Sequence, residues 1–163
     1  MSVAGAAIHK AVATLWSSSG LNTLFQAYWP VADRSLYTSL NDGEAAPGTP
    51  FPYAVFTARA PNVRTRMSGE DASKQYINDQ PWLFEVHAGP SGSSSAKEVA
   101  ATVAEEIIKV FGGHPTQSPQ SLTLDHGRVL IVQYQNDWGE RESDDVHKWM
   151  VEYNIRTDVP VAV

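Results

Sequence analysis

Residues Ser93 to Phe111 read SSSAKEVAATVAEEIIKVF, and laid out at about 100° per residue they have one apolar side. Val99, Val103, Ile107 and Val110 form the stripe, and Ala96, Ala100, Ala104 and Phe111 widen it. Glu98, Thr102, Glu105, Glu106 and Lys109 take the opposite side. Ser95 with Glu98 three residues on has the spacing at which a hydroxyl and a carboxylate cap each other's backbone N–H groups. Gly112-Gly113 marks the stop, because glycine enters the left-handed region without a steric cost. The stretch predicts an amphipathic helix whose apolar arc touches both a sheet and a second helix.

Working outward, residues 3–16 supply that second helix, with Ile8, Ala11, Val12, Leu15 and Trp16 on one face. Leu21, Leu24 and Phe25 have the spacing of a further short helical segment, closed before Trp29-Pro30. Strands are expected at Ser35–Leu40, Tyr53–Arg59, Asn62–Met67, Trp82–Ala88, Leu122–Leu124, Arg128–Gln135 and His147–Thr157. Asn62–Met67 reads as a hairpin partner of the strand before it. Arg128–Gln135 is apolar on both faces in its first half, as a central strand covered by helices would be. The last strand alternates cleanly, with Trp149, Val151, Tyr153 and Ile155 opposite Lys148, Glu152, Asn154 and Arg156. Asn41-Asp42-Gly43 signals a turn, and the polar stretches 68–80 and 136–146 read as long loops. The economical arrangement is an α+β fold: a single mostly antiparallel or mixed sheet of about six strands with two main helices packed on one face.

The 163 residues fit a single domain, 1–163, able to bury a sizeable core. A net charge of −6, with 12 Lys and Arg scattered along the chain, argues against nucleic-acid binding as the main activity. The absence of cysteine excludes disulfides, thiolate chemistry and Cys-ligated zinc. No apolar run approaches the roughly 20 residues of a membrane span, and His9-Lys10 interrupts the Ala-rich start before a signal-peptide core forms. The default expectation is a soluble cytoplasmic protein.

Three stretches invite chemistry, and each has a plainer reading. Gly89-Pro-Ser-Gly92 before the amphipathic helix has the position of an anion-binding loop, but lacks the P-loop and dinucleotide spacings, so a capped connection is preferred. Asp125-His126 could be half of an acid–base or triad arrangement with a serine, yet nothing identifies the serine, and a turn between strands is preferred. Asp144, Asp145 and His147 have the ligand types of a divalent cation site, but solvated loop acids followed by a strand that begins at His147 are the preferred reading. Trp138, an aromatic in an acidic stretch, either tucks onto its own sheet or anchors an interface.

The order of elements resembles the tail-terminator, or tail-completion, proteins of long-tailed bacteriophages. The residues that carry the resemblance are Pro50-Phe-Pro-Tyr-Ala-Val-Phe56, the Leu- and Trp-bearing first helix, WLFEVHAGPSGSSSAKEVAATVAEEI beginning at Trp82, and KWMVEYNIRT beginning at Lys148. The pattern covers most of the chain. It implies a subunit of a homo-oligomeric ring, a hexamer, at the head-proximal end of the tail tube, where it halts tube polymerisation and joins the tail to the head. The implied partners are the tail tube protein and the head-tail connector or stopper, with DNA passing through unbound. The implied location is the virion neck, with host cytoplasm during assembly. Members are not enzymes and carry no cofactor or metal.

The two long loops depart from that pattern and keep a related neck role open, as a head-completion or connector-adaptor protein. A small hydrolase and a monomeric binding module using Trp138 are the readings from other classes. A closed ring needs two unlike patches per subunit, and an acidic lining would repel DNA in transit. The candidate interface or channel-lining residues are therefore Glu70, Asp71, Asp79, Trp138, Glu140, Glu142, Asp144 and Asp145.

Overall fold

The computed structural model describes residues 3–59, 63–66, 75–112, 122–125 and 128–160. Helix α1 spans Val3–Ser18, α2 Leu21–Gln26 and α3 Ala96–Phe111, with a short 3-10 helix at Val31–Ser35. The strands are β1 (Leu40–Asp42), β2 (Tyr53–Ala58), β3 (Val63–Arg66), β4 (Gln75–Ala88), β5 (Arg128–Ser143) and β6 (Val146–Pro160). They form one mixed sheet in the order β1-β2-β4-β6-β5, with β3 beside β4. Only β1 and β2 run parallel; the other pairs are antiparallel.

The amphipathic helix starts and stops where its residues require. Ser95 Oγ accepts from Glu98 N at 3.2 Å and Glu98 Oε2 accepts from Ser95 N at 3.2 Å, a reciprocal capping box. Gly112, at φ 105°, ends it. Lys109 lies nearer Glu106 (3.0 Å) than Glu105 (4.0 Å).

Both main helices pack on one face of the sheet. That face carries Ala54 and Phe56 of β2, Trp82, Phe84 and Val86 of β4, and Val151, Tyr153 and Ile155 of β6, all buried. Phe84 is where the layers meet, with its ring centroid 6.0 Å from Trp16 of α1, 4.8 Å from Phe111 of α3, 4.6 Å from Phe56 and 6.1 Å from Tyr153. The Trp16 indole donates to Ser39 Oγ (2.9 Å) and the Trp29 indole to the Pro52 carbonyl (2.9 Å), so these two buried tryptophans place their polar tips, whereas the buried Trp82 indole N–H has no hydrogen-bond partner among the described residues.

Several elements differ from expectation. Residues 136–146 are not a loop: β5 continues to Ser143 and turns through Asp144 and Asp145 directly into β6. Loop-like composition misleads there because an edge strand exposes one face to water, and charge along an edge resists unwanted pairing. By the same pairing β5 is an edge strand, not a central one. Of the expected loop 68–80, residues 75–80 belong to β4, which pairs with β6 along its whole length. Pro81 disguises this continuity. It sits where β2 ends (Ala58 opposite Trp82) and β3 begins (Val63 opposite Asp79), the gap at which a strand tolerates a residue without N–H.

β3 pairs with β4 rather than β2. Ser35–Leu40 is not a strand, since the 3-10 helix occupies its start and β1 begins at Leu40. Leu122–Leu124 is buried at both leucines without joining the sheet.

Candidate assembly surface

Among the described residues no helix covers the second face of the sheet, and the alternation along each strand decides which side chains reach it. Opposite the core residues stand Tyr53 on β2, Asp79, Glu85 and His87 on β4, and Lys148, Glu152, Asn154 and Arg156 on β6. These charges are organised in pairs across strands. Arg156 Nη2 lies 2.7 Å from Asp79 Oδ2, directly across the ladder. Arg59 Nη1 lies 2.7 Å from Glu152 Oε2, and its guanidinium sits 5.9 Å over the Trp138 ring. His87 stacks on Tyr53 at 4.8 Å, and Phe51 extends the stack at 5.6 Å. The two His87 ring nitrogens face Glu85 (2.9 Å) and Glu142 (3.2 Å), while Lys148 reaches Glu85 at 3.4 Å. Exposed pairs of this kind contribute little stability each, about 0–1 kcal/mol; they fix a pattern of charge on an open surface.

A depression of about 340 Å³ opens on this face, lined by Asp79, Pro81, Gln135, Glu152 and Asn154. Gln135 reaches it because the β5–β6 ladder slips between Tyr134 and Asn136, and a bulge re-aims a side chain. Arg156, the largest influence, and Asn154 hold the Asp79 carboxyl below its usual range against the opposing effect of burial. On the other side of β5, Asp137 accepts from the Trp149 indole (3.0 Å) and from the Tyr134 hydroxyl. Burial first, then Asp137, pushes the Tyr134 phenol up to about 12.

The structure gathers part of the expected set. Asp79, Trp138, Glu140 and Glu142 come to the helix-free face or its β5 margin, Trp138 donating to Glu140 (3.3 Å) and held under Arg59. Asp144 and Asp145 form the hairpin tip, where Arg141 bonds Asp144. Glu70 and Asp71 lie outside the described residues. Sequence reasoning missed Arg59, Glu85, His87 and Glu152 as members of the surface. The signal was present, because the polar positions of β4 and β6 alternate with their core positions.

The other candidate chemistries resolve differently. Asp125 bonds Lys10 of α1, and His126 lies outside the described residues. His147 points to the core side, beside Trp149, away from the acidic tip. Ser91 and Ser94 pair backbone to backbone (3.0 and 2.9 Å), and the Ser95 hydroxyl serves the α3 cap. Among the described residues no helix is long and apolar enough to cross a membrane.

Two histidines make stability pH-dependent. His9, wedged edge-on against Phe56 and Trp82, has its pKa lowered by burial, with the Asp42 carboxylate 3.1 Å away pulling the other way. His147 is lowered by burial and by Lys97. A histidine that holds its proton less well folded than unfolded contributes full stability above the unfolded value, about 6.5, and loses it as pH falls toward the folded one. Melting temperature is therefore expected to drop on going from pH 7.5 to 5, and the His9→Gln/His147→Gln variant to show a flatter profile. A rise in wild-type melting temperature over that range contradicts this assignment.

No protein-family model matches the sequence, and no curated protein matches it. Among solved structures, a chain of the "Virion of native gene transfer agent (GTA) particle" is similar over 78% of this chain and 84% of that one, at 19% identity and a TM-score of 0.47.

Proposed function

We propose that this chain is a non-enzymatic structural subunit that closes into a homohexameric ring at the head-proximal end of a long phage tail tube. There it ends tube polymerisation and offers its other rim to the head connector. The family resemblance of the sequence suggests the role. The structural observation that carries it is the inequality of the two sheet edges: β5 offers a 16-residue open strand and β1 only 3 residues beside the helices. A subunit with two unlike sides makes head-to-tail contacts, which either close a ring or run on as a filament.

The runner-up, a head-completion or connector-adaptor protein, drew its support from two long loops. One of those, residues 136–146, is a strand and tight turn instead, which favours the terminator reading. In the ring, Asp79, Glu140 and Glu142 are assigned to the subunit contact or the conduit wall, where carboxylates keep DNA from adhering.

Light scattering over a range of concentrations, with and without tail tube protein, followed by negative-stain imaging, tests the reading. Rings of six, formed alone or on tube ends, are the expected result. A strict monomer indifferent to tube protein overturns it and turns attention to Asp125 and His126.

A further inference from the structure

We infer that adjacent copies of this chain meet by seating the exposed 3-10 helix of one, with Leu36 behind it, on the Ile131 end of the helix-free face of the next, so that Arg34 enters the depression at Asp79 and Glu152. The inference deepens the ring reading and rests on it. Its first support is the distribution of exposed apolar side chains. Val31 and Leu36 are 75% and 71% exposed, on either side of the exposed Arg34. Single exposed apolar residues are ordinary; one at the start of a short helix and one just past its end, around a cation, form a patch.

The second support is position. The helix leads into β1, and Ile131, itself 46% exposed, lies on β5, the opposite edge of the sheet. The two patches therefore belong to different sides of the molecule, as a head-to-tail contact requires.

The third is charge complementarity. Ile131 stands across from Arg156, which stands across from Asp79, so the apolar side chain and the depression share one row of the sheet. Arg59 and Arg156 engage Glu152 and Asp79 through one oxygen each, and both carboxylates line the depression. A guanidinium is the group best shaped to engage two neighbouring carboxylates. Arg34 gives one N–H to the Trp29 carbonyl at 3.3 Å and keeps other donors of its fork for a neighbour. Both halves of the contact lie on this chain, which is why a second copy is the occupant.

The chain has no cysteine, so single cysteines can be placed at will. Leu36→Cys and Ile131→Cys, each at an exposed position, are to be treated with a short bismaleimide separately and mixed. The mixture is expected to cross-link and each variant alone to stay uncoupled; the double variant is expected to give a ladder ending at the ring's copy number. Arg34→Glu added to the double variant lowers the yield about tenfold. Equal coupling within each single variant overturns the contact, as does coupling to tube protein alone. If scattering shows rings but no cross-link forms, the contact is wrong and the ring reading survives; if the chain stays monomeric with tube protein present, both fail.

Discussion

Phe84→Ala is expected to destabilise the protein by about 3–5 kcal/mol, lowering the melting temperature by roughly 6 to 20 °C for a chain of this size. Phe84 is 1% exposed and faces four rings from four different elements, Trp16 of α1, Phe56 of β2, Phe111 of α3 and Tyr153 of β6. Truncation removes the transfer free energy of the ring and leaves a cavity that no single neighbour can fill, because each is anchored elsewhere. Trp16 is tied to Ser39, and the Tyr153 hydroxyl to the Gly112 carbonyl. Leu36→Ala, at an exposed position, is the control and should stay within about 0.5 kcal/mol of wild type. Urea denaturation compares the two, and a Phe84→Ala loss below 1 kcal/mol would mean that the two layers do not meet at this ring.

Gly139→Ala, a change of one methyl group, is the second large effect, expected at about 1–3 kcal/mol. Gly139 faces Trp149 across the β5–β6 ladder, and a Cβ built there would lie 2.7 Å from the indole ring and 2.8 Å from His147 Nε2. The indole cannot simply swing aside, since its N–H is bonded to Asp137 at 3.0 Å. Glycine inside a strand usually weakens it, and here it makes room for an aromatic ring laid over the opposing backbone. In a Trp149→Leu background the same Gly139→Ala change should cost much less, a coupling that a double-mutant cycle measures. Equal cost in both backgrounds would refute the packing explanation.

How far the sequence could be read depended on whether a residue's environment lay in its own neighbourhood. The α3 cap and stop were legible because Ser95, Glu98 and Gly112 act within one turn of themselves. The core faces of β4 and β6 were legible because their alternation is local. The extent of β5 was not: Asn136, Asp137 and Gly139 are turn-forming residues by composition, and only the β6 partner makes them a strand. The start of β4 was hidden by Pro81, whose tolerance depends on a gap between two other strands. For the candidate surface, the acids of β5 were visible as charge, but their meaning changed once Arg59, His87 and Arg156 were brought beside that patch from elsewhere in the chain.

The position of β6 between β4 and β5 also bears on how the chain comes to be folded. β4 and β5 precede it, yet neither can pair with the other, so the long edges of both wait until residues 146–160 have left the ribosome. Sheet closure is then the joining of segments far apart in sequence, the kind of step that proceeds slowly. During that interval the half-made sheet is open to other copies. The carboxylates of β5 and the slips in its ladder, which keep neighbouring backbones from docking at random, protect the nascent chain before they serve any assembled one.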